Sequence, residues 1–140
     1  MRRFLPILVL ALVAFTSVTA QAKSARAAYD GYCPVAYVEA GKAVKGDSKF
    51  TVRHEGHRIR FVSADAKKMF EANPAKYNVA YDGWCATAVA MGKKVKSDPT
   101  LFTVHNGTTY LFSNADAKKM FDVDADMTAK KADEQWASLR

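Results

Sequence analysis

Two cysteines, three histidines and a methionine are the side chains of this sequence best suited to soft-metal or thiol chemistry. Cys33 closes the run Tyr29-Asp30-Gly31-Tyr32-Cys33, and Cys85 closes Tyr81-Asp82-Gly83-Trp84-Cys85. Two thiolates suit Cu(I) or Zn(II), and His54, His57, His105 or Met91 would complete the set. The same pair would alternatively close a disulfide, provided that the two runs meet near a pseudo-twofold axis. A loop of 52 residues closed in this way is stabilised by about 4 kcal/mol in the loop-entropy picture. A third reading keeps the thiols apart, either packed as small apolar groups or made reactive at a helix N-terminus. Spacing alone leaves all three open. His54-x-x-His57 straddles a turn, where imidazoles on adjacent strand ends can share an ion. Without a third fixed ligand it reads first as two exposed turn histidines.

No acyl-transfer, zinc-protease, phosphate-loop or haem-attachment pattern stands out, so the sequence reads as a binder rather than an enzyme. Tyr29, Tyr32, Tyr37, Tyr81 and Trp84 gather around the cysteines. Packing is the first role of such rings. A ligand cleft between the two halves, lined by Tyr32, Tyr37 and Trp84, is the pocket that they predict.

The elements that position these residues come from a duplication. Besides the two Tyr-Asp-Gly runs, Gly41-Lys42-Ala43-Val44-Lys45 recurs as Gly92-Lys93-Lys94-Val95-Lys96, and Phe50-Thr51-Val52 recurs as Phe102-Thr103-Val104. Ala64-Asp65-Ala66-Lys67-Lys68-Met69-Phe70 is repeated unchanged at Ala115 to Phe121. A unit of about fifty residues buries too little surface to stand alone. Each half predicts a short helix, a hairpin and a second helix. Pro34 opens the first helix and Gly41 closes it. Glu55-Gly56 and Asn106-Gly107 turn the hairpins. Phe50 and Val52, with Ile59 and Phe61, form an apolar face, while Arg53, Arg58 and Arg60 point the other way. Ser63 and Asn114 cap the repeated helix, whose Ala66, Met69 and Phe70, and Ala117, Met120 and Phe121, are expected to pack on the hairpin. A terminal helix from about Met127 to Leu139 follows, buried through Ala132, Trp136 and Leu139. The expected fold is α+β, with two pseudo-equivalent αββα units sharing one core plus a C-terminal helix.

The N-terminus bears on charge and location. Met1-Arg2-Arg3, the apolar run Phe4 to Phe15 and Ala20-Gln21-Ala22 read as a Sec-type signal peptide over residues 1–22, too short in its apolar part to span a bilayer. Residues 23–28 are then a flexible lead, 29–80 the first repeat and 81–140 the second. The expected product is periplasmic or secreted, without stable membrane insertion. The 140 residues carry 21 Lys+Arg and 14 Asp+Glu, a formal charge of +7. A basic balance of this kind points to nucleic acid, an anionic surface or a merely solvated face. Export argues against nucleic acid, and loss of Arg2 and Arg3 reduces the excess.

Several of these segments resemble the YHS-domain family: Tyr29-Asp30-Gly31, Pro34 to Tyr37, Arg60-Phe61-Val62-Ser63, and most specifically Phe70-x-x-Asn73-Pro74-x-x-Tyr77. The chain is also similar to exported proteins in which a YHS-like unit precedes a related second half. The resemblance covers about residues 29–136 and implies a small metal-associated module of the kind found beside heavy-metal transport and metal-handling proteins, for which the two thiolates suggest copper or zinc. Cys33 and Cys85 match the early cysteine of that pattern. Val62 and Ala66 in the first unit, and Ser113 and Ala117 in the second, stand where its other two thiolates would be. The resemblance therefore implies a metal site that this chain would have to assemble differently. A metal ion or a small ligand is the expected partner.

Overall fold

The structure, a computed structural model, describes residues 26–140. The expected signal peptide and the first part of the flexible lead lie outside the described residues. The first unit consists of a tight turn at Ala28–Gly31, helix α1 (Pro34–Glu39), strands β1 (Asp47–His54) and β2 (His57–Phe61), and helix α2 (Ala64–Ala72). After a short turn at Pro74–Tyr77, the second unit repeats the order. It has a turn at Ala80–Gly83, α3 (Ala86–Ala90), β3 (Asp98–His105), β4 (Thr108–Phe112) and α4 (Ala115–Val123), and α5 (Ala125–Leu139) closes the chain. The fold is α+β, with each hairpin an antiparallel two-stranded sheet.

The local signals act as their chemistry predicts. Pro34 occupies the first turn of α1, where its missing N–H is not needed. Ser63 Oγ accepts from Ala66 N at 3.1 Å and Asn114 Oδ1 from Ala117 N at 2.8 Å, capping α2 and α4. Asp124 caps α5 in the same way, accepting from Met127 N, so this helix starts two residues earlier than its apolar stripe predicts. Glu55-Gly56 and Asn106-Gly107 all take positive φ, as two-residue hairpin turns that match strand twist require.

Phe-Thr-Val, though repeated in sequence, is not repeated in register. Val52 lies opposite Ile59, whereas the partner of Val104 is Thr109 and that of Phe102 is Leu111. A one-residue slip turns every side chain to the other face. Phe50 therefore packs against its own unit's core and Phe102 against the other unit. Met69 and Met120 also depart from expectation, at 41% and 58% exposed. Ala66 with Phe70, and Ala117 with Phe121, fill the i, i+4 stripe facing the hairpin, which leaves the methionines at its edge.

The shared core resolves into three clusters. Cys33, Ile59, Phe61 and Phe70 anchor the first unit, and Cys85, Val89, Phe112 and Phe121 the second. Between them lie Tyr37, Val79 and Leu111, with Tyr29 and Phe102 alongside. Tyr37 donates its hydroxyl proton to the Pro99 carbonyl at 2.6 Å and sets its ring 4.7 Å from that of Phe102. The contact is not reciprocal. Val89, which stands in α3 where Tyr37 stands in α1, packs with Ala132 and Trp136 of α5. The units thus meet through different surfaces, and the pseudo-twofold axis that the repeat invites is not the relation observed.

Both Tyr-Asp-Gly turns hold three successive residues in the left-handed region, Tyr29, Asp30 and Gly31 at φ 54, 50 and 85° and Tyr81, Asp82 and Gly83 at 56, 51 and 83°. For tyrosine this costs on the order of 1 kcal/mol, offset by what the turn positions. Tyr29 lies over Gly83, where an added β-carbon would stand 2.6 Å from its Cδ1. Asp30 meets Lys96 at 3.6 Å and Asp82 meets His57 at 3.3 Å, each pair crossing between units. Gly83→Ala should destabilise clearly more than Gly107→Ala, whose left-handed glycine faces open space and should cost about 1–2 kcal/mol; thermal melts of the two variants check the difference.

Glu39 ties α1 to the Pro74–Tyr77 turn, accepting from Lys76 Nζ at 2.5 Å and Tyr77 Oη at 2.7 Å. These hydrogen bonds, that from Lys76 foremost, hold the Glu39 carboxyl below its ordinary range. A depressed carboxyl contributes stability above its unfolded value and loses it as pH falls through the folded one. Glu39→Gln should accordingly flatten the acid limb of the stability profile slightly, as measured by urea midpoints across that limb.

Candidate functional site

An open groove of about 780 Å³ runs between the units. Its walls come from four places: the β1–β2 tip, the linker with the Ala80–Gly83 turn, strand β4, and helix α5. The tip contributes His54 and Glu55, the turn contributes Tyr81 and Asp82, β4 contributes Tyr110, and α5 contributes Asp133 and Trp136. Asp133 and Trp136 sit one helical turn apart and so share a face. Tyr81 Oη donates to Asp133 Oδ1 at 2.8 Å and contacts the Ala129 carbonyl at 3.2 Å. Its ring lies edge-on to Trp136, centroids 5.7 Å apart. Burial first, then the Asp133 carboxylate, pushes the Tyr81 phenol far above its ordinary value, so it stays a proton donor and fixes that carboxylate. Among the described residues the lining carries three acidic side chains, Glu55, Asp82 and Asp133, against Arg140 as its one Lys or Arg. The groove is acidic and aromatic.

The residues predicted from sequence are distributed differently. Cys33 and Cys85 are free thiols with no exposed surface, each inside its own unit's cluster. His54 and His57 are direct cross-strand neighbours. His54 points toward Glu55 at 3.8 Å and His57 toward Asp82 at 3.3 Å. His105 lies at the other hairpin tip, 2.6 Å from Asp126, and Met91 is exposed. Among the described residues no three His, Cys, Asp or Glu side chains gather as a metal-holding group. The cysteines and histidines are therefore not brought together. Nor is the aromatic cleft formed as predicted. Tyr37 is buried in the inter-unit cluster, because its ring fills the space that it was expected to line. Tyr32 lies beside that cluster with Lys45 over its ring. Trp84 lines a smaller pocket of about 230 Å³ with Tyr29 and Lys96.

Sequence reasoning missed Glu55, Asp133 and Trp136 as lining residues. Trp136 was legible only as a buried helix position. Glu55 carried the better signal: a glutamate occupies the turn position where the second unit has Asn106, although asparagine suits left-handed backbone far better.

The chain matches no family model, no curated protein and no solved structure.

The thiols generate a direct test. Both should resist a water-soluble alkylating reagent in the folded protein and react, two per chain, in denaturant without reductant. Loss of this reactivity until reductant is added would show a disulfide instead.

Proposed function

We propose that the protein is an exported binding protein that takes an organic cation, an amine or ammonium group, in the groove between its two units. The observation that carries this reading is the combination of Glu55, Asp82 and Asp133 with Tyr110 and Trp136 around one opening. Carboxylates attract the charge, and ring faces accept a cation that has shed part of its water. A groove of this size suits a small ligand.

The backbone supports the same site. Glu55 is held at φ 48°, a conformation that disfavours glutamate, and departures from local preference concentrate where a side chain serves a function. Copper or zinc draws less support, because the thiolates are buried apart and, among the described residues, no three His, Cys, Asp or Glu side chains gather as a metal-holding group, the carboxylates nearest His54 and His57 being one apiece.

Titration calorimetry with spermidine and choline, against glutamate as the anionic control, tests the proposal. Binding of the amines should weaken about tenfold, the equivalent of 1.4 kcal/mol, in Asp133→Asn and in Trp136→Ala. Glu55→Asn should raise the melting temperature, since asparagine relieves the turn, and yet lower amine affinity. Absence of amine binding, or equal binding by all three variants, would overturn the proposal. Zn(II) or Cu(I) uptake lost in His54→Ala would restore the metal reading.

A further inference from the structure

The duplication allows each hairpin to be read against the other, and their outer faces differ in a way that points to a partner. On β3–β4 the outward positions are Phe102, Val104, Thr109 and Leu111. The first unit covers this face: Tyr37 and Val79 pack on Leu111, and Tyr29 lies over Gly83, 3.7 Å from whose β-carbon position stands Leu111 Cδ1. On β1–β2 the same register positions are Thr51, Arg53, Arg58 and Arg60. Arg60 runs along Gly31, its Cδ and an Nη 3.6 Å from where a β-carbon would stand, just as Leu111 lies along Gly83. The scaffold of the docking face is therefore repeated in the first unit, with arginines in place of apolar residues.

These arginines are a source of attraction that the described residues leave unused. Arg53 lies directly opposite Arg58, a like-charge arrangement that costs stability. None of the three forms an ion pair with an acidic side chain among the described residues. The Nε–H groups of Arg58 and Arg60 are buried and hydrogen-bonded to nothing among the described residues. A buried donor without an acceptor is costly, and the outer ends of these two half-buried side chains offer guanidinium forks that suit a planar carboxylate.

We propose that this face docks an acidic segment of a partner protein, seated over Gly31, Arg58 and Arg60 as Tyr29 and Tyr37 are seated over Gly83 and Leu111. Side-chain carboxylates meet the guanidinium forks, and an aromatic or other flat group lies on Gly31. A membrane surface is the poorer fit, because the outward positions paired across β1 and β2 are a threonine and three arginines, with no large apolar side chain among them, and lipid binding draws on apolar insertion beside the charge. The site is separate from the amine groove, and its test does not depend on that reading.

The probe is a fluorescein-labelled peptide of alternating glutamate and tyrosine, with a glutamine–tyrosine peptide as neutral twin, followed by fluorescence anisotropy. The acidic peptide should bind, and its affinity should fall with added salt. Arg58→Gln/Arg60→Gln should weaken it about tenfold or more, and Arg58→Lys/Arg60→Lys should restore only part, because lysine keeps the charge without the fork. Arg53→Gln, at an exposed position, should weaken binding several-fold without disturbing the fold, so the proposal stands or falls on this variant even if the double variants unfold. Asp133→Asn should bind the peptide as the unaltered protein does. Equal binding of the neutral twin, indifference to Arg53→Gln, or a silent peptide beside tight binding to phosphatidylglycerol vesicles would overturn the proposal.

Discussion

Tyr37 is the residue on which the union of the two halves depends. A two-stranded hairpin is marginal in water unless something covers it, and β3–β4 is covered on one side by its own α4 and on the other by the first unit. The Tyr37 ring fills the second interface, and its hydroxyl satisfies the buried Pro99 carbonyl. A smaller residue would leave both a gap and an orphaned acceptor. The left-handed turns follow from the same requirement: by bending the chain before α1 they bring Tyr29 over Gly83, beside the cluster that Tyr37 occupies.

Much of this architecture was legible because its signals are local. The capping residues Ser63 and Asn114, the glycines of the hairpin turns and the Pro34 helix start each act within a few positions of themselves, and duplication displayed every signal twice. What was not legible depended on distance. The register slip of Phe-Thr-Val does not come from the strand irregularity, which both hairpins share before Thr51 and Phe102; the motif recurs at an offset of 52 in a ladder that repeats at 51, and only the pairing shows which face each copy takes. The non-reciprocal interface was equally hidden, because identical heptapeptides suggest identical surroundings.

The site shows the same division. Cysteines and histidines attract attention by type, yet burial separates the thiols and the hairpins separate His105 from the other two histidines. The groove instead draws on residues of ordinary type from distant segments, joined only by the packing of α5 beside the linker. Charge is likewise partitioned by fold. Basic groups dominate the outer face of the first hairpin, and acids line the groove between the units. One chain thus presents two faces of opposite electrostatic character, neither visible in a net charge.

The closing helix has a consequence for how such a protein can change over time. Because α5 packs on α3 where a further hairpin would otherwise be placed, a third copy of the unit could not be appended at the C-terminal end without first displacing α5. At the opposite end a new copy would need only to present an α1-like helix to β1–β2, with Arg58 and Arg60 exchanged for residues like Thr109 and Leu111. The fold is thus a stack with a direction. Lengthening by duplication is blocked at the back by α5, while at the front it would have to begin by exchanging the arginines.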